Sequence, residues 1–453
     1  MLPVPTPRLL LLALAGLVPM SLTGSHDRAL GVALIWMSGV VLVALVDGWY
    51  AQSSAKHVWR REHDPKLSLG VWNPIRLTVE NRSKRRMTLK VRDAVPAFML
   101  SRGDSAEGVC PAGDRWDLSY QVFPLHRGDY SFGNPGIRAL GPLGLLWVQY
   151  AEPLEGAVQV YPDLVAVRTY ESLVHRGRLE ELGLRSSRRW GMGTEFERLR
   201  DYSPDDEFRR INWKATARRA RPISVDFQTE RSQNIMLVID AGRLMSTRVP
   251  LPSAIEGAEG PAGSPALTRL DYALNASLLL AFVSQRYGDR VGLLAFSDRV
   301  TRFVSPAPGQ RQFLQLTRAM YNLEPEPTEA DYSTGLGYLG VHNRRRSLAV
   351  VFTDIAERGA ADSLIANIAH LARRHLVMVV TLRDTGVEEL ATAEPDSIKR
   401  VYERAVAQSL LDTREQTLGH LRRRGALTLD VPADQISASV INRYLEIKAK
   451  TLL

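Results

Sequence analysis

The sequence predicts an α/β protein with three parts: a doubly wound domain over 233–450, an all-β, sandwich-like domain over 67–162, and an N-terminal transmembrane helical hairpin over 1–50. Three observations carry this. From Asn234 onward, near-continuous apolar strands alternate with helical patterns, as strands buried on both faces require. Between 67 and 162, short stretches of apolar–polar alternation are punctuated by Gly and Pro. The first fifty residues hold two apolar runs with few charges.

Leu9 to Leu22 is interrupted only by Gly16, Pro19 and Ser21, and Ala29 to Val46 carries no charge until Asp47. Between them lies the polar turn Ser25-His26-Asp27-Arg28. Each run is about 15–18 residues, at the lower edge of the roughly 17–25 needed to span a bilayer, which predicts helices near 9–24 and 29–46. A cleavable signal peptide is the rival, but Arg8 stands alone before the run and no small-x-small site precedes Ser25. Arg8 lies before the first helix, Lys56, Arg60, Arg61 and Lys66 after the second, and only Arg28 in the turn. The positive-inside rule then predicts both ends and the soluble part in the cytoplasm. Trp49, Tyr50 and Trp59 fit interfacial anchors.

A chain of 453 residues with 45% hydrophobic and 24% charged residues buries several cores and excludes wholesale disorder. Its net charge of +9 admits nucleic acid, anionic membrane or acidic protein as partners. The basic runs Arg344-Arg345-Arg346 and Arg422-Arg423-Arg424 are short and sit at element ends, where cations are routine, so nucleic acid is disfavoured. The single cysteine, Cys110, excludes an intramolecular disulfide framework and a cysteine metal cluster.

In the β region, Ile75–Glu80 and Met87–Arg92 alternate around the turn Asn81-Arg-Ser-Lys-Arg85, with further strands at 116–123, 130–132, 137–140 and 158–161. Residues 163–192 read as a basic linker carrying Arg176, Arg178, Arg185, Arg188 and Arg189. In the α/β region the strands are Ile235–Ile239, Val291–Phe296, Leu348–Thr353, Leu376–Leu382 and Leu427–Val431, with Val300–Val304 as a short antiparallel edge. Helices are expected at 270–287, 310–321, 362–374, 398–408 and 415–424, and 249–265 as an exposed insertion.

The segment 193–232 is the densest in chemistry. Ser203-Pro204-Asp205-Asp206 has the form of a capped helix start with proline at the first position. Phe208, Ile211 and Ala215 recur at helical spacing as a buried face, and Asp206, Arg210, Lys214 and Arg218 form an i, i+4 ladder on another. Glu195, Arg198 and Arg200 add charge beside Phe196, Tyr202 and Trp213. A partner-binding surface of Glu195, Arg200, Tyr202, Asp206, Arg209, Arg210, Trp213, Lys214 and Arg218 is expected.

The run Thr194-Glu195-Phe196, Leu199-Arg200-Asp201-Tyr202, Asp206, Arg209-Arg210-Ile211 and Trp213-Lys214-Ala215 resembles the signature of domain-of-unknown-function family 58. The resemblance implies a von Willebrand factor A-like α/β domain, a membrane hairpin, a β-rich region and a protein partner that is a MoxR-type AAA+ ATPase. Asp205 and Asn212 depart from the glycine and aspartate usual in the family. The resemblance further implies a divalent-metal site built from Asp-x-Ser-x-Ser, a distal threonine and a later aspartate. Here the first motif reads Asp240-Ala-Gly242-Arg-Leu244, without the hydroxyl ligands. Asp331 stands at the threonine's place, beside Ser333 and Thr334, and Asp354 at the late aspartate.

Three carboxylates, Asp240, Asp331 and Asp354, are thus expected at the carboxyl edge of the sheet. They hold either Mg²⁺, a hard cation suited to oxygen ligands, or ion pairs with Arg243 or the arginines of the 193–218 block. A divalent-metal-dependent enzyme working at this edge is the alternative function. The leading reading is a membrane-anchored cytoplasmic adaptor without catalysis: no phosphate loop, Gly-x-Ser-x-Gly elbow or His-Glu-x-x-His occurs.

Overall fold

The computed structural model describes residues 2–22, 26–53, 57–175, 195–203, 208, 211–228, 232–251, 265–355 and 358–450. The chain folds as two units, one covering Met1–Tyr161 and the other Pro162–Leu251 with Ala266–Leu453.

The first unit is built from three antiparallel or mixed sheets. One runs His57–Glu62, Asn73–Asn81, Arg115–Pro124, Met99–Arg102 in spatial order; a second runs Leu2–Pro5, Leu146–Ala151, Gly136–Leu140, Met87–Arg92, Ser105–Cys110; a third joins Lys66–Ser68, Gly156–Tyr161 and Gly128–Phe132. The period-2 pattern is realised on Asn73–Asn81, whose odd-numbered residues are all buried. Among them Ile75, Leu77 and Val79 are core residues. Inside, Arg61 forks onto Asp93, which also accepts from the Tyr120 hydroxyl at 2.6 Å, so the buried charges satisfy one another.

The N-terminal segment differs from the expected hairpin. The second arm is longer, His26–Ser53, and Asp27–Ala51 is the one helix among the described residues long and apolar enough to cross a membrane. The first arm is two short helices, Pro7–Leu14 and Leu17–Ser21. Even as one helix the 15 residues of Pro7–Ser21 would rise about 22 Å, short of the ~30 Å hydrocarbon core. The break falls at Gly16, where a Cβ would meet the Trp36 ring at 2.4 Å, and Trp36 Nε1 donates to the Leu12 carbonyl at 3.0 Å. Ahead of this arm Leu2–Pro5 pairs with Leu146–Ala151, so both ends of the apolar segment return to the same β unit. Buried Asp47 accepts from the backbone N–H groups of Leu143 (2.7 Å), Leu145 (2.8 Å) and Leu146 (3.2 Å).

The second unit centres on a six-stranded sheet, in spatial order Val300–Ala307, Arg290–Phe296, Asn234–Asp240, Leu348–Phe352, Leu376–Arg383, Leu427–Pro432. All neighbours are parallel except the antiparallel edge Val300–Ala307. Helices Arg269–Arg286, Gln310–Tyr321 and Ile436–Ala449 pack on one face, and Tyr332–His342, Arg358–Ala372 and the C-terminal half of Ile398–Arg423 on the other. The order reverses at Asn234–Asp240, which leaves a crevice between its carboxyl end and that of Leu348–Phe352.

Part of the expected linker is folded. Leu164–His175 is a helix whose Val167 and Tyr170 are buried in the second unit's core, with the Asp163 N–H donating to Asn275 at 2.8 Å. Apolar residues three apart decide this against the basic character of the stretch. Arg176, Arg178, Arg185, Arg188 and Arg189 lie outside the described residues. The expected helices at 398–408 and 415–424 are one continuous helix, Ile398–Arg423.

Candidate functional site

The crevice is lined by residues at and just beyond the carboxyl ends of the strands. Asp240 closes Asn234–Asp240 and is buried. Its Oδ1 accepts from the Gly242 N–H at 2.7 Å and its Oδ2 from the Thr353 hydroxyl at 2.6 Å, with the Tyr332 hydroxyl 3.2 Å from Oδ2 and 2.9 Å from Thr353 Oγ1. Burial pushes the Asp240 carboxyl above its ordinary pKa, opposed by the bonds from Thr353, Gly242 and Tyr332. The adjoining pocket, lined by Asp240, Gly242, Arg243, Glu329 and Tyr332 among others, measures about 20 Å³. That is room for roughly one water.

Gly242 explains why no hydroxyl ligand stands there. A Cβ on Gly242 would meet the Ala330 nitrogen at 2.9 Å and the Thr328 carbonyl at 3.1 Å. The backbone ladder that holds this segment down runs from the Arg243 N–H to Thr328 (2.8 Å) and from the Glu326 N–H to Ala241 (2.7 Å). The loop therefore occupies the space a serine side chain would need.

The other two carboxylates are engaged elsewhere. Asp331 caps the helix Tyr332–His342, accepting from the Ser333 and Thr334 backbone and, at 2.6 Å each, from their hydroxyls. Those hydroxyls hold its pKa down at about 2. Asp354 is buried between two guanidiniums: Arg414 Nη1 donates to Oδ1 at 2.8 Å, and Arg269 pairs with Oδ2. Arg269 reaches on to Asp384 at 2.9 Å; Arg414 reaches on to Asp430 at 2.8 Å and to the Leu382 carbonyl at 2.7 Å. The cluster lines a cleft of about 730 Å³ across the ends of Leu348–Phe352, Leu376–Arg383 and Leu427–Pro432.

The expected convergence of Asp240, Asp331 and Asp354 is thus not what the structure builds. Among the described residues no group of three His, Cys, Asp or Glu side chains is placed to hold a metal. A divalent ion does not fit here: one carboxylate is capped by hydroxyls, one spends its oxygens on a helix start, and one already has two cations. The expected neutralising arginine also differs. Arg243 pairs at 3.5 Å with exposed Glu329, while Arg269 and Arg414 face Asp354. A sequence signal for Arg414 existed: it stands in the stripe Ala407, Leu411, Arg414, Leu418, Leu421, where an inward-facing arginine demands a carboxylate. Arg269 shows no such signal, because only the fold carries the start of Arg269–Arg286 to the ends of Leu348–Phe352 and Leu376–Arg383.

The described residues of the 193–232 segment form two antiparallel strands with a short helix, Trp213–Arg219, between them in sequence. Glu195–Asp201 pairs with Ile223–Gln228, which places Glu195 and Arg200 on a strand and half-buried Tyr202 just beyond it. Asp206, Arg209 and Arg210 lie outside the described residues. Residues 204–207, 209 and 210 of the expected capped helix lie outside the described residues; beyond them Ile211 bridges to Ser224, and a helix begins at Trp213, capped by Asn212 accepting from the Ala215 N–H at 3.1 Å. Asparagine caps as aspartate does, so the departure at 212 keeps the motif. Phe208 is 69% exposed rather than buried, edge-on to Trp213 (60% exposed) with ring centroids 5.5 Å apart. Arg218, Arg219 and Arg221 are exposed nearby, with Lys214 between them and the rings in sequence.

Fold and site together define a doubly wound α/β unit whose switch-point carboxylates are sealed by the chain's own hydroxyls and arginines. Residues 198–398 match the family described as protein of unknown function DUF58, and the family resemblance read from the signature holds. An uncharacterized protein of Mycobacterium tuberculosis is 26% identical over 202 residues, 44% of this chain and 58% of the relative. The uncharacterized protein YeaD of Bacillus subtilis is 27% identical over 125 residues, 27% of this chain and 30% of that protein. The chain thus spans little more than half the length of the mycobacterial relative. Among solved structures, the conserved hypothetical protein BatB from Bacteroides thetaiotaomicron aligns with 48% of this chain and 100% of its own at 12% identity and a TM-score of 0.32.

Proposed function

We propose that this chain is a membrane-anchored interaction protein. Its α/β unit, in this reading, is a von Willebrand factor A-like domain facing the cytoplasm from the inner membrane. It works with a MoxR-type AAA+ ATPase in assembling or activating envelope-related complexes. The observation that carries the reading is the contrast between its two polar regions. At the switch point, where doubly wound folds place ligands, Asp240 and Asp354 are buried and satisfied by internal partners. On the signature segment, Phe208 and Trp213 instead face solvent, with Lys214 and Arg218 on the same short helix as Trp213. Exposed aromatics accompanied by cations suit a partner offering apolar pockets within an acidic surface.

The test uses the full chain in detergent and a purified MoxR-type ATPase in a direct binding assay. Phe208→Ala with Trp213→Ala is expected to weaken binding by about 2 kcal/mol, roughly 30-fold. Lys214→Glu with Arg218→Glu is expected to slow association, more so at low salt. Absence of binding by the unaltered chain sinks the partner assignment.

A further inference from the structure

One end of the first unit receives the apolar helix Asp27–Ala51, and strand register shows which turns stand there. His57, just after His26–Ser53, pairs with Asn81, so the turn 82–86 lies at that end. Ala139 pairs with Leu89, which brings the turn 141–145, bonded to Asp47, to the same end. Contacts agree with the register. The Arg85 guanidinium sits over the Tyr50 ring, 4.9 Å from its centroid, and Tyr50 lies edge-on to exposed Trp49. Arg8 lies against Gly144, where a Cβ would meet its Nη1 at 2.8 Å, and Leu143 is exposed beside it. Charge at this end is one-sided. Arg82, Lys84, Arg85, Arg86 and Arg115 are exposed, and the adjoining acids are Glu80 and Asp114. Glu80 is taken by Arg82 at 3.1 Å and Arg115 at 3.9 Å, and Asp114 accepts from the Arg115 backbone N–H at 2.8 Å. Further from the end, Glu107 pairs with Lys90 at 2.9 Å, and Asp117 and Arg60 flank Thr78. Among the described residues no carboxylate pairs with Lys84, Arg85 or Arg86.

We propose that the turn 82–86 binds anionic phospholipid headgroups of the bilayer that Asp27–Ala51 crosses, with Lys84, Arg85 and Arg86 as the headgroup ligands. A guanidinium meets a phosphate through two parallel N–H bonds, and lysine adds a point charge. Placement favours lipid over nucleic acid or an acidic protein. These cations stand beside Trp49 and Tyr50, residue types that sit at headgroup level, and Arg85 touches Tyr50 directly. A spanning helix therefore carries its own surface of phosphates to the turn. The local concentration of headgroups is then high, so a weak affinity per headgroup suffices. Arg8 and Leu143, at the second turn, extend the same pattern of cation and exposed apolar residue. The inference rests on the anchored reading of Asp27–Ala51; it involves the first unit alone and is independent of the ATPase partner.

The test reconstitutes the full chain into phosphatidylcholine vesicles carrying a trace of spin-labelled phosphatidylglycerol or spin-labelled phosphatidylcholine. Electron paramagnetic resonance reads the fraction of each label that the protein immobilises. Phosphatidylglycerol is expected to be held about five-fold over phosphatidylcholine, the preference that one engaged cation gives, and high salt lowers it. Lys84→Gln with Arg85→Gln and Arg86→Gln brings the two labels level. Arg76→Gln with Arg102→Gln, exposed cations nearer the Asn73 end of the same sheet, leaves the preference intact. Circular dichroism shows that each variant keeps its fold, and the salt series on the unaltered chain needs no variant. Equal immobilisation of both labels by the unaltered chain overturns the inference, as does a preference that survives the triple substitution. So does a preference abolished by a short oligonucleotide or polyglutamate at matched ionic strength, which assigns the cations to another polyanion. Carbonate-resistant flotation reports the anchor separately. A chain that floats without lipid preference loses the headgroup site and keeps the anchor; a chain that does not float loses both.

Discussion

Arg414 and Asp240 show two ways of keeping a carboxylate in a buried place. Asp354 and Asp430 share the Arg414 guanidinium at 2.8 Å each. Replacing Arg414 by methionine leaves Asp354 with Arg269 alone and Asp430 with the Thr381 hydroxyl and the more distant Arg383, an expected loss of about 3 kcal/mol in urea unfolding. Adding Asp354→Asn to Arg414→Met should restore part of it, because the half-paired buried carboxylate is then gone and Arg269 keeps Asp384; a purely additive pair of losses contradicts the coupling. Among the described residues Asp240 meets hydroxyls and a backbone N–H rather than a cation, and burial raises its pKa. An acid raised in the fold contributes stability below its unfolded pKa and loses it as pH rises through the folded value. Asp240→Asn removes that titration while keeping an oxygen for Gly242. The variant's stability relative to the parent should therefore improve steadily from acid toward neutral pH. A difference flat with pH contradicts the assignment.

Elements are legible where apolar runs are continuous and opaque where a polar cap does the organising. The buried strands Asn234–Asp240 and Leu376–Arg383 stand out in sequence because their interiors are almost wholly apolar. Tyr332–His342 does not, since Gly335, Gly337 and Gly340 lower its intrinsic helicity. Asp331 starts it, and Gly335 lets it approach the Phe296 ring, which a Cβ would meet at 2.5 Å. By its position in a motif the same Asp331 reads as a metal ligand; hydrogen-bond geometry assigns it to the cap. Asp331→Ala is expected to cost about 1 kcal/mol at neutral pH. Its pKa of about 2 lies below the ordinary value of 3.8, so the stabilisation is present above that ordinary value and lost as pH falls toward 2. Urea midpoints of parent and variant should converge across that acid window. A cap also sets the start of Trp213–Arg219: Asn212 supplies it, directly after Ile211 pairs with Ser224.

At the scale of the whole molecule, the apolar segment is not a detachable anchor. In sequence Asp47 reads as the first charge after an apolar run; in the fold it is a buried acceptor for three backbone N–H groups of the Leu143–Leu146 turn. Beyond it, Leu2–Pro5 covers the edge of Leu146–Ala151 with four paired residues. A truncated chain beginning at residue 57, the obvious choice for a soluble preparation, therefore loses a strand, uncovers a sheet edge and leaves those N–H groups unpaired. Asp47→Ala in the full chain isolates one of these effects, with an expected loss of about 3 kcal/mol, because the turn cannot rehydrate without opening. The truncated chain should be less stable still and prone to self-association through the bare edge. The second unit is expected to keep its own unfolding midpoint, since its core draws on other residues. Equal urea midpoints for the β unit in the truncated and full-length chains would show the apolar segment to be separable after all.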